Sequence, residues 1–158
     1  MSARALRAAM SARALRAAAL TTVAGALLSG CVLPAWGEAS YRGKAQTSAA
    51  AALSEVQTAR LAAEQLLRSR LQQAYADDVI SASETALGSI AESFGSVQPP
   101  RASDAVRKEV TALLDDAGSV VADARVAARR SDSGALTGAV DGLARLSDEL
   151  ADLEERLA

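Results

Sequence analysis

The sequence predicts an all-α protein, and three observations carry that prediction. Alanine supplies 39 of the 158 residues, whereas only four residues are aromatic. Alanine is the strongest helix former, and sheets favour β-branched and aromatic side chains. Apolar residues also recur at intervals of three and four from residue 44 onward, which is the spacing of a buried helical face. We therefore expect an antiparallel, up-down four-helix bundle over residues 44–158.

Charge changes sign along the chain. Four arginines precede the first acidic residue, Glu38. Removing them from the 17 basic residues leaves 13 against 19 acidic residues, a net charge of −6 for the rest of the chain. Nucleic-acid binding depends on neutralising phosphates, so a net acidic bundle without a basic stripe is a poor candidate for it. We expect no nucleic-acid partner.

Residues 1–30 have the order of a bacterial export signal. A basic stretch is followed by the apolar segment 17–28 and then by small residues. The first stretch lacks an adjacent arginine pair, which favours general secretion over the twin-arginine route. The nonapeptide MSARALRAA occurs twice in tandem, at 1–9 and 10–18, so the start is either Met1 or Met10.

The segment Leu28-Ser29-Gly30-Cys31 resembles the lipobox of bacterial lipoproteins, in which an aliphatic residue and two small residues precede a cysteine. A thiolate is the side-chain nucleophile suited to thioether formation, and small neighbours leave room for a membrane peptidase. The resemblance implies that Cys31 receives a diacylglyceryl group and that cleavage after Gly30 makes it the mature N-terminus. Cys31 is the chain's single cysteine, so an intramolecular disulfide is impossible.

Two other interpretations of this segment stay open. Cys31 could be incidental in an ordinary cleavable signal. Alternatively, residues 17–37 could be an uncleaved anchor, because no charge interrupts them and about 20 apolar residues can span a bilayer. Several polar or helix-breaking residues make that segment only weakly apolar: Thr21, Thr22, Gly25, Ser29, Gly30 and Pro34. We therefore favour the lipoprotein interpretation.

Residues 31–43 are predicted to be a tether between the lipid and the bundle. They contain Pro34, Gly37 and Gly43 and no helical stripe, and Trp36 is placed to rest at the lipid interface. Such a segment reaches at most roughly 40 Å. Lipid attachment would hold the protein on the extracytoplasmic face of the membrane, since two acyl chains anchor stably.

The first two helices are predicted at about 44–75 and 78–96. Their apolar stripes are Ala45, Ala49, Ala52, Val56, Ala59, Ala63 and Leu66 in the first, and Ile80, Ser83, Leu87, Ile90, Phe94 and Val97 in the second. No Gly or Pro separates them, but the stripe becomes polar across residues 68–78. One helix over 44–96 would span about 80 Å and leave half of its apolar face unpaired. The alternative is a three-helix bundle with one long kinked helix.

The third and fourth helices are predicted at about 103–130 and 134–157. Pro99 and Pro100 end the preceding helix, and Ser103 suits an N-cap. The turn 131–134 separates the two helices. Their stripes are Val106, Val110, Leu113, Ala117, Val120, Ala124 and Ala127, widened by Leu114, Val121 and Ala128, and then Leu136, Ala139, Leu143, Leu146, Leu150, Leu153 and Leu157.

A wider resemblance follows from these segments. The lipobox, an Ala-rich helix, a second helix ending in the sequence 94–100 (FGSVQPP), and two helices separated by Arg129-Arg130 resemble small helical lipoproteins or secreted proteins of high-GC Gram-positive bacteria. That family is uncharacterised, so the resemblance implies a fold and a location. It transfers no functional residue.

Reactive side chains are scarce, which excludes most catalytic classes. The chain has no histidine, so zinc, haem and di-iron bundle sites and Ser-His or Cys-His nucleophiles cannot be assembled. Adjacent carboxylates diverge by 100° on a helix, so they are interpreted as solvated pairs: Asp77-Asp78, Asp115-Asp116 and Glu154-Glu155. Three glycines at intervals of four, Gly134, Gly138 and Gly142, indicate close helix packing. We expect no metal, cofactor or catalytic residue.

The sequence thus favours a non-enzymatic, lipid-anchored helical bundle with a structural or protein-interaction role at the cell envelope. Its partners would be the membrane, through Cys31, and an envelope protein. The alternative is an extracytoplasmic small-ligand binder or carboxylate-dependent hydrolase, for which Tyr75 and Phe94 are the available aromatic lining. Wall attachment through a C-terminal lysine is disfavoured because the chain ends at Ala158.

Overall fold

The computed structural model describes residues 37–158, which form four α-helices and one turn of 3₁₀ helix. The helices are α1 (Glu38–Leu67), α2 (Gln73–Gly95), α3 (Asp104–Arg129) and α4 (Ser133–Leu157), and the 3₁₀ turn Arg101–Ser103 precedes α3. No strand occurs within this part of the chain. The all-α four-helix bundle is confirmed, and the three-helix alternative is wrong.

The helices pack in a ring with one diagonal contact. Sequential helices contact each other, α4 closes the ring against α1, and α1 also contacts α3 across the middle. Short connections make sequential neighbours antiparallel. The helices α1 and α3, which lie diagonally across the ring, therefore each contact the other three helices.

The helix α1 begins at Glu38 instead of residue 44, so the predicted tether is wrong over residues 38–43. Tyr41 is fully buried, and its ring centroid lies 5.6 Å from that of Phe94 on α2. An aromatic contact of this kind outweighs the low helix propensity of Gly43. Gly37, at φ 105, provides the left-handed backbone that precedes the helix.

The connection between α1 and α2 comprises residues 68–72, earlier than the predicted boundary near 76. Ser69 has φ 54, and the Arg70 amide donates to the Gln65 carbonyl at 2.9 Å. This is a Schellman ending, which normally uses glycine at the left-handed position. Because Ser69 occupies that position, no glycine marks the turn in the sequence.

The helix α3 also has a Schellman ending, in the connection that leads to α4. Ser131 has φ 54, and the Asp132 amide donates to the Ala127 carbonyl at 3.0 Å. The Asp132 side chain then accepts a hydrogen bond from the Ala135 amide at 3.0 Å and caps α4. The predicted turn between the two helices is confirmed here. Ser103 occupies the N-cap position of α3, but its buried side chain forms no capping hydrogen bond, so that part of the prediction is wrong.

The core joins an Ala-rich seam on α1 to a leucine seam on α4. All seven residues of the predicted α4 stripe are buried, and six of the seven on α1 are, with Leu66 half-buried. On α3 the buried face is rotated toward Leu114, Val121 and Ala128, which leaves Leu113 and Val120 half-buried. This rotation leaves apolar side chains at the outer edge of the α3 and α4 contact.

Candidate functional site

The predicted lipidation residue Cys31 and the cleavage residue Gly30 lie outside the described residues, as does Trp36. Their distance from the bundle along the chain is set by the start of α1 at Glu38. Only the six residues 32–37 separate Cys31 from the first helical residue. A lipid on Cys31 would therefore be joined closely to the N-terminal end of α1.

The helices within residues 37–158 lack the features of a membrane span and of a metal site. None of the helices between residues 37 and 158 has the length and apolarity that crossing a bilayer requires. Over the same residues, no three carboxylates converge as ligands for a metal ion. The residues proposed for an uncleaved anchor, 17–37, lie almost wholly outside the described part.

The adjacent carboxylates lie on the outside of the bundle. Asp78, Asp115 and Asp116 are exposed, as is Glu155. Asp77 accepts a hydrogen bond from Arg129 Nε at 2.7 Å, and this bond holds the pKa of the Asp77 carboxyl below its ordinary value. The positions agree with the interpretation of these residues as a solvated face.

Ion pairs and hydrogen bonds connect α2 to α3. The Arg125 guanidinium forms a two-bond pair with Glu84, and the bond to that carboxylate raises the pKa of Arg125. Gln73 Nε2 donates to the carbonyls of Ala128 at 3.0 Å and Arg129 at 3.2 Å. Sequence reasoning missed these contacts because their partners are far apart in the chain and share no helical spacing.

Tyr41 lies within the predicted tether, but in the structure it is a buried residue of α1. Its hydroxyl lacks a hydrogen-bond partner among residues 37–158. Burial raises the pKa of this hydroxyl, and the positive charge of Arg107 offsets only part of the increase. A buried hydroxyl without a partner costs about 1–3 kcal/mol. Tyr41 therefore contributes through its ring, which packs against Phe94.

The aromatic lining expected for a ligand pocket is not assembled. Tyr75 is 60% exposed on α2, whereas Phe94 is buried against Tyr41. Besides Tyr41, the buried polar residues among residues 37–158 are three serines, Ser83, Ser103 and Ser147, and no carboxylate there is buried. The residues that the alternative function requires are thus kept apart in this bundle.

A surface groove runs along the contact between α3 and α4, and we call it the α3–α4 groove. Its wider part has a volume of about 450 Å³. It is lined by Val120, Asp123, Val126, Ala127 and Arg130 from α3 and its end, and by Asp132, Ala135, Gly138, Ala139, Gly142 and Arg145. A narrower extension of about 200 Å³ adds Asp116, Ser119, Leu146 and Glu149.

The glycines on α4 have different roles in this groove. A Cβ atom on Gly142 would lie 3.0 Å from Val120 Cγ1, so Gly142 permits the close packing that its spacing indicated. A Cβ atom on Gly138 would meet nothing within 4 Å. Gly138 therefore leaves the groove open at its position. The regular spacing of the glycines did not show this difference between Gly138 and Gly142.

Comparison with known proteins returns no relative: no family model, no curated protein and no solved structure matches the chain. Membership of the lipoprotein family that the sequence resembles stays a prediction.

Proposed function

We propose that the chain is a bacterial lipoprotein whose mature form begins at lipidated Cys31 and whose bundle acts on the extracytoplasmic face of the membrane as a non-enzymatic interaction module. The observation that carries the proposal is the sequence Leu28-Ser29-Gly30-Cys31 after a basic and an apolar segment. The short segment of six residues between Cys31 and α1 supports the proposal, because it would keep the bundle close to the membrane.

The short interval determines how the bundle would sit. Six residues reach at most about 20 Å, roughly half the reach of the tether that the sequence predicted. The N-terminal end of α1 would therefore lie close to the headgroups, with the inner face of α1 buried in the bundle from Tyr41 onward. Thioether-linked acyl chains would then hold the bundle at the membrane without a spanning helix.

The side-chain arrangement supports binding rather than catalysis. The charged residues of the α3–α4 groove, including Asp116, Asp123 and Arg145, are exposed to water. Catalytic carboxylates are usually desolvated or placed beside a charge that tunes them. An exposed groove with a partly apolar lining instead suits contact with another protein, and we assign the interaction role to this surface.

The substitution Cys31→Ser tests the proposal. We expect it to abolish incorporation of radiolabelled palmitate and to leave the signal uncleaved before residue 31, because a serine hydroxyl does not form the thioether. The control is Ser29→Ala, which keeps a small residue beside the cleavage position and should still be labelled and processed. A Cys31→Ser chain that is processed and held in the membrane like the unchanged chain would contradict the proposal.

A further inference from the structure

A second groove lies between the N-terminal part of α1 and the C-terminal end of α2, and we call it the α1–α2 groove. It has a volume of about 330 Å³, which is enough space for one large side chain. One charged residue, Lys44, lines it, and no carboxylate does. The other lining residues are small or apolar: Ser40, Gly43, Thr47, Ser48, Ser93, Phe94 and Val97.

Two residues on the α1 side of this groove have no packing or charge partner within residues 37–158. Gly43 is exposed, and a Cβ atom added there would meet nothing within 4 Å. Glycine inside a helix is destabilising relative to alanine, and no close contact in the bundle requires it here. Lys44 is also exposed, and none of the ion pairs of these residues includes it. A group that packed on the Gly43 backbone beside the Lys44 ammonium would contact both.

The residue best placed to reach the groove is Trp36. Only Gly37 separates it from Glu38, the first residue of α1. Gly37 has φ 105, so the chain leaves the helical path at this residue. An apolar side chain at the position before an N-cap commonly packs back on the first turn of its helix. The groove begins at Ser40, about 5 Å along the helix axis from Gly37, which the long tryptophan side chain can span.

We propose that the Trp36 indole occupies the α1–α2 groove, over the Gly43 backbone and with the Lys44 ammonium against its face. Tryptophan is the side chain that attracts a cation most strongly through its ring, and no carboxylate of the groove competes for Lys44. Half-buried Val97 supplies apolar contact. A buried indole N–H usually finds an acceptor, and the hydroxyl of Ser93 lines the same space.

Docking of Trp36 would shorten the connection to the membrane. Four residues, 32–35, would remain between Cys31 and the docked residue, and they reach at most about 13 Å. The end of the bundle at which α1 begins would then be held against the headgroups. This consequence rests on the proposed lipidation of Cys31, whereas the docking itself does not.

Fluorescence tests the proposal directly, because Trp36 is the only tryptophan of the chain. In phosphatidylcholine vesicles, we expect Trp36 of the lipidated chain to be quenched weakly both by acrylamide and by lipids with brominated acyl chains. Gly43→Leu fills the groove and should increase quenching by one of these agents severalfold. The matched control Gly88→Leu adds the same side chain at an open, exposed position of α2 and should change neither.

Strong quenching of the unchanged chain by brominated lipid would place Trp36 at the lipid interface, as the sequence predicted, and would overturn the docking. Strong quenching by acrylamide would place it in water and would overturn the docking equally. Palmitate labelling of the same preparations reports on Cys31 independently. A lipidated chain with a quenched Trp36 and an unlipidated chain with a protected Trp36 are therefore distinguishable results.

Thermal unfolding provides a second measurement on the same variants. Trp36→Ala should lower the midpoint of the unchanged chain by a few degrees, because it removes the apolar contact in the groove. The same change in the Gly43→Leu chain should have no effect, since the groove is already filled. Equal shifts in the two backgrounds would show that Trp36 and Gly43 do not interact, and they would contradict the proposal.

Discussion

The helices α1 and α4 contact each other extensively, yet they are built from opposite kinds of side chain. The buried face of α1 consists mostly of alanine, whereas that of α4 is mostly leucine. Alanine lets helices approach closely, and α1 is one of the two helices, with α3, that contact all three others. Leucine buries far more apolar area for each residue.

The two seams therefore differ in what they do: one sets the distance between helices, and the other stabilises the folded bundle. The alanine seam determines where the helices can lie, because a larger side chain would push them apart. The leucine seam contributes more hydrophobic free energy of folding than the alanine seam does, because each leucine buries more apolar area. The two seams should therefore respond to opposite substitutions: α4 to the loss of volume and α1 to its gain.

The largest effect is expected for Leu143→Ala on α4. Leu143 is fully buried, and removing its side chain loses transfer free energy and leaves a cavity. We expect a loss of about 2–5 kcal/mol in the free energy of unfolding, measured by urea denaturation. Leu61→Ala on the exposed face of α1 should change it by less than about 0.5 kcal/mol. Equal losses at the two positions would contradict the assignment of α4 as the stabilising seam.

On α1, a larger side chain in the buried seam should lower the free energy of unfolding. Ala52 is fully buried at the centre of the alanine seam, so Ala52→Leu should destabilise the bundle by about 1–3 kcal/mol through overpacking. The matched change Ala82→Leu on the exposed face of α2 should leave the midpoint of thermal unfolding nearly unchanged. If Ala52→Leu stabilised the chain, the seam would be loosely packed and the comparison would fail.

Two of the three glycines of α4, Gly138 and Gly142, extend the comparison to the edge of the bundle. Gly138→Ala should stabilise the bundle by about 0.5–1 kcal/mol, since alanine favours helix and the added Cβ meets open space. Gly142→Ala should lose this benefit, because its Cβ would press on Val120. The difference between their unfolding free energies is the quantity to measure, and a larger gain at Gly142 would contradict the close contact.

The smallest effect is expected at the contact between α2 and α3, where exposed ion pairs supplement packing. The bond to Arg129 lowers the pKa of Asp77 in the folded state, so its stabilisation is present above the unfolded pKa and is lost as pH falls through the folded one. Asp77→Asn should remove this contribution at neutral pH and make no difference in strong acid. Denaturation of both chains across that range, with Asp78→Asn as control, would measure it.

The sequence predicted α4 more accurately than α1, and the reason is physical. Leucines on α4 mark one face clearly, and Asp132 and the turn before Ser133 mark its start. On α1, alanines at neighbouring positions such as Ala50 and Ala51 blur the face, so both of its ends were misplaced. The contacts that decide those ends, Tyr41 with Phe94 and the left-handed Ser69, depend on tertiary structure.

The candidate interface was visible in the sequence only as three glycines at regular intervals. That spacing could not show that Val120 lies against Gly142 whereas Gly138 is open, nor that Arg145 lines the same groove as Asp116 and Asp123 of α3. Those facts follow from the rotation of α3 about its axis. A one-dimensional pattern does not specify such a rotation when apolar residues occupy a wide face.

The most direct test of the lipoprotein assignment is the intact mass of the chain extracted from bacterial membranes. We expect a chain of 128 residues, from Cys31 to Ala158, with lipid added at its N-terminal cysteine. Digestion would assign the added mass to the first peptide. A membrane-bound chain that starts at Met1 or Met10 without lipid, or one cleaved elsewhere and released, would contradict the assignment.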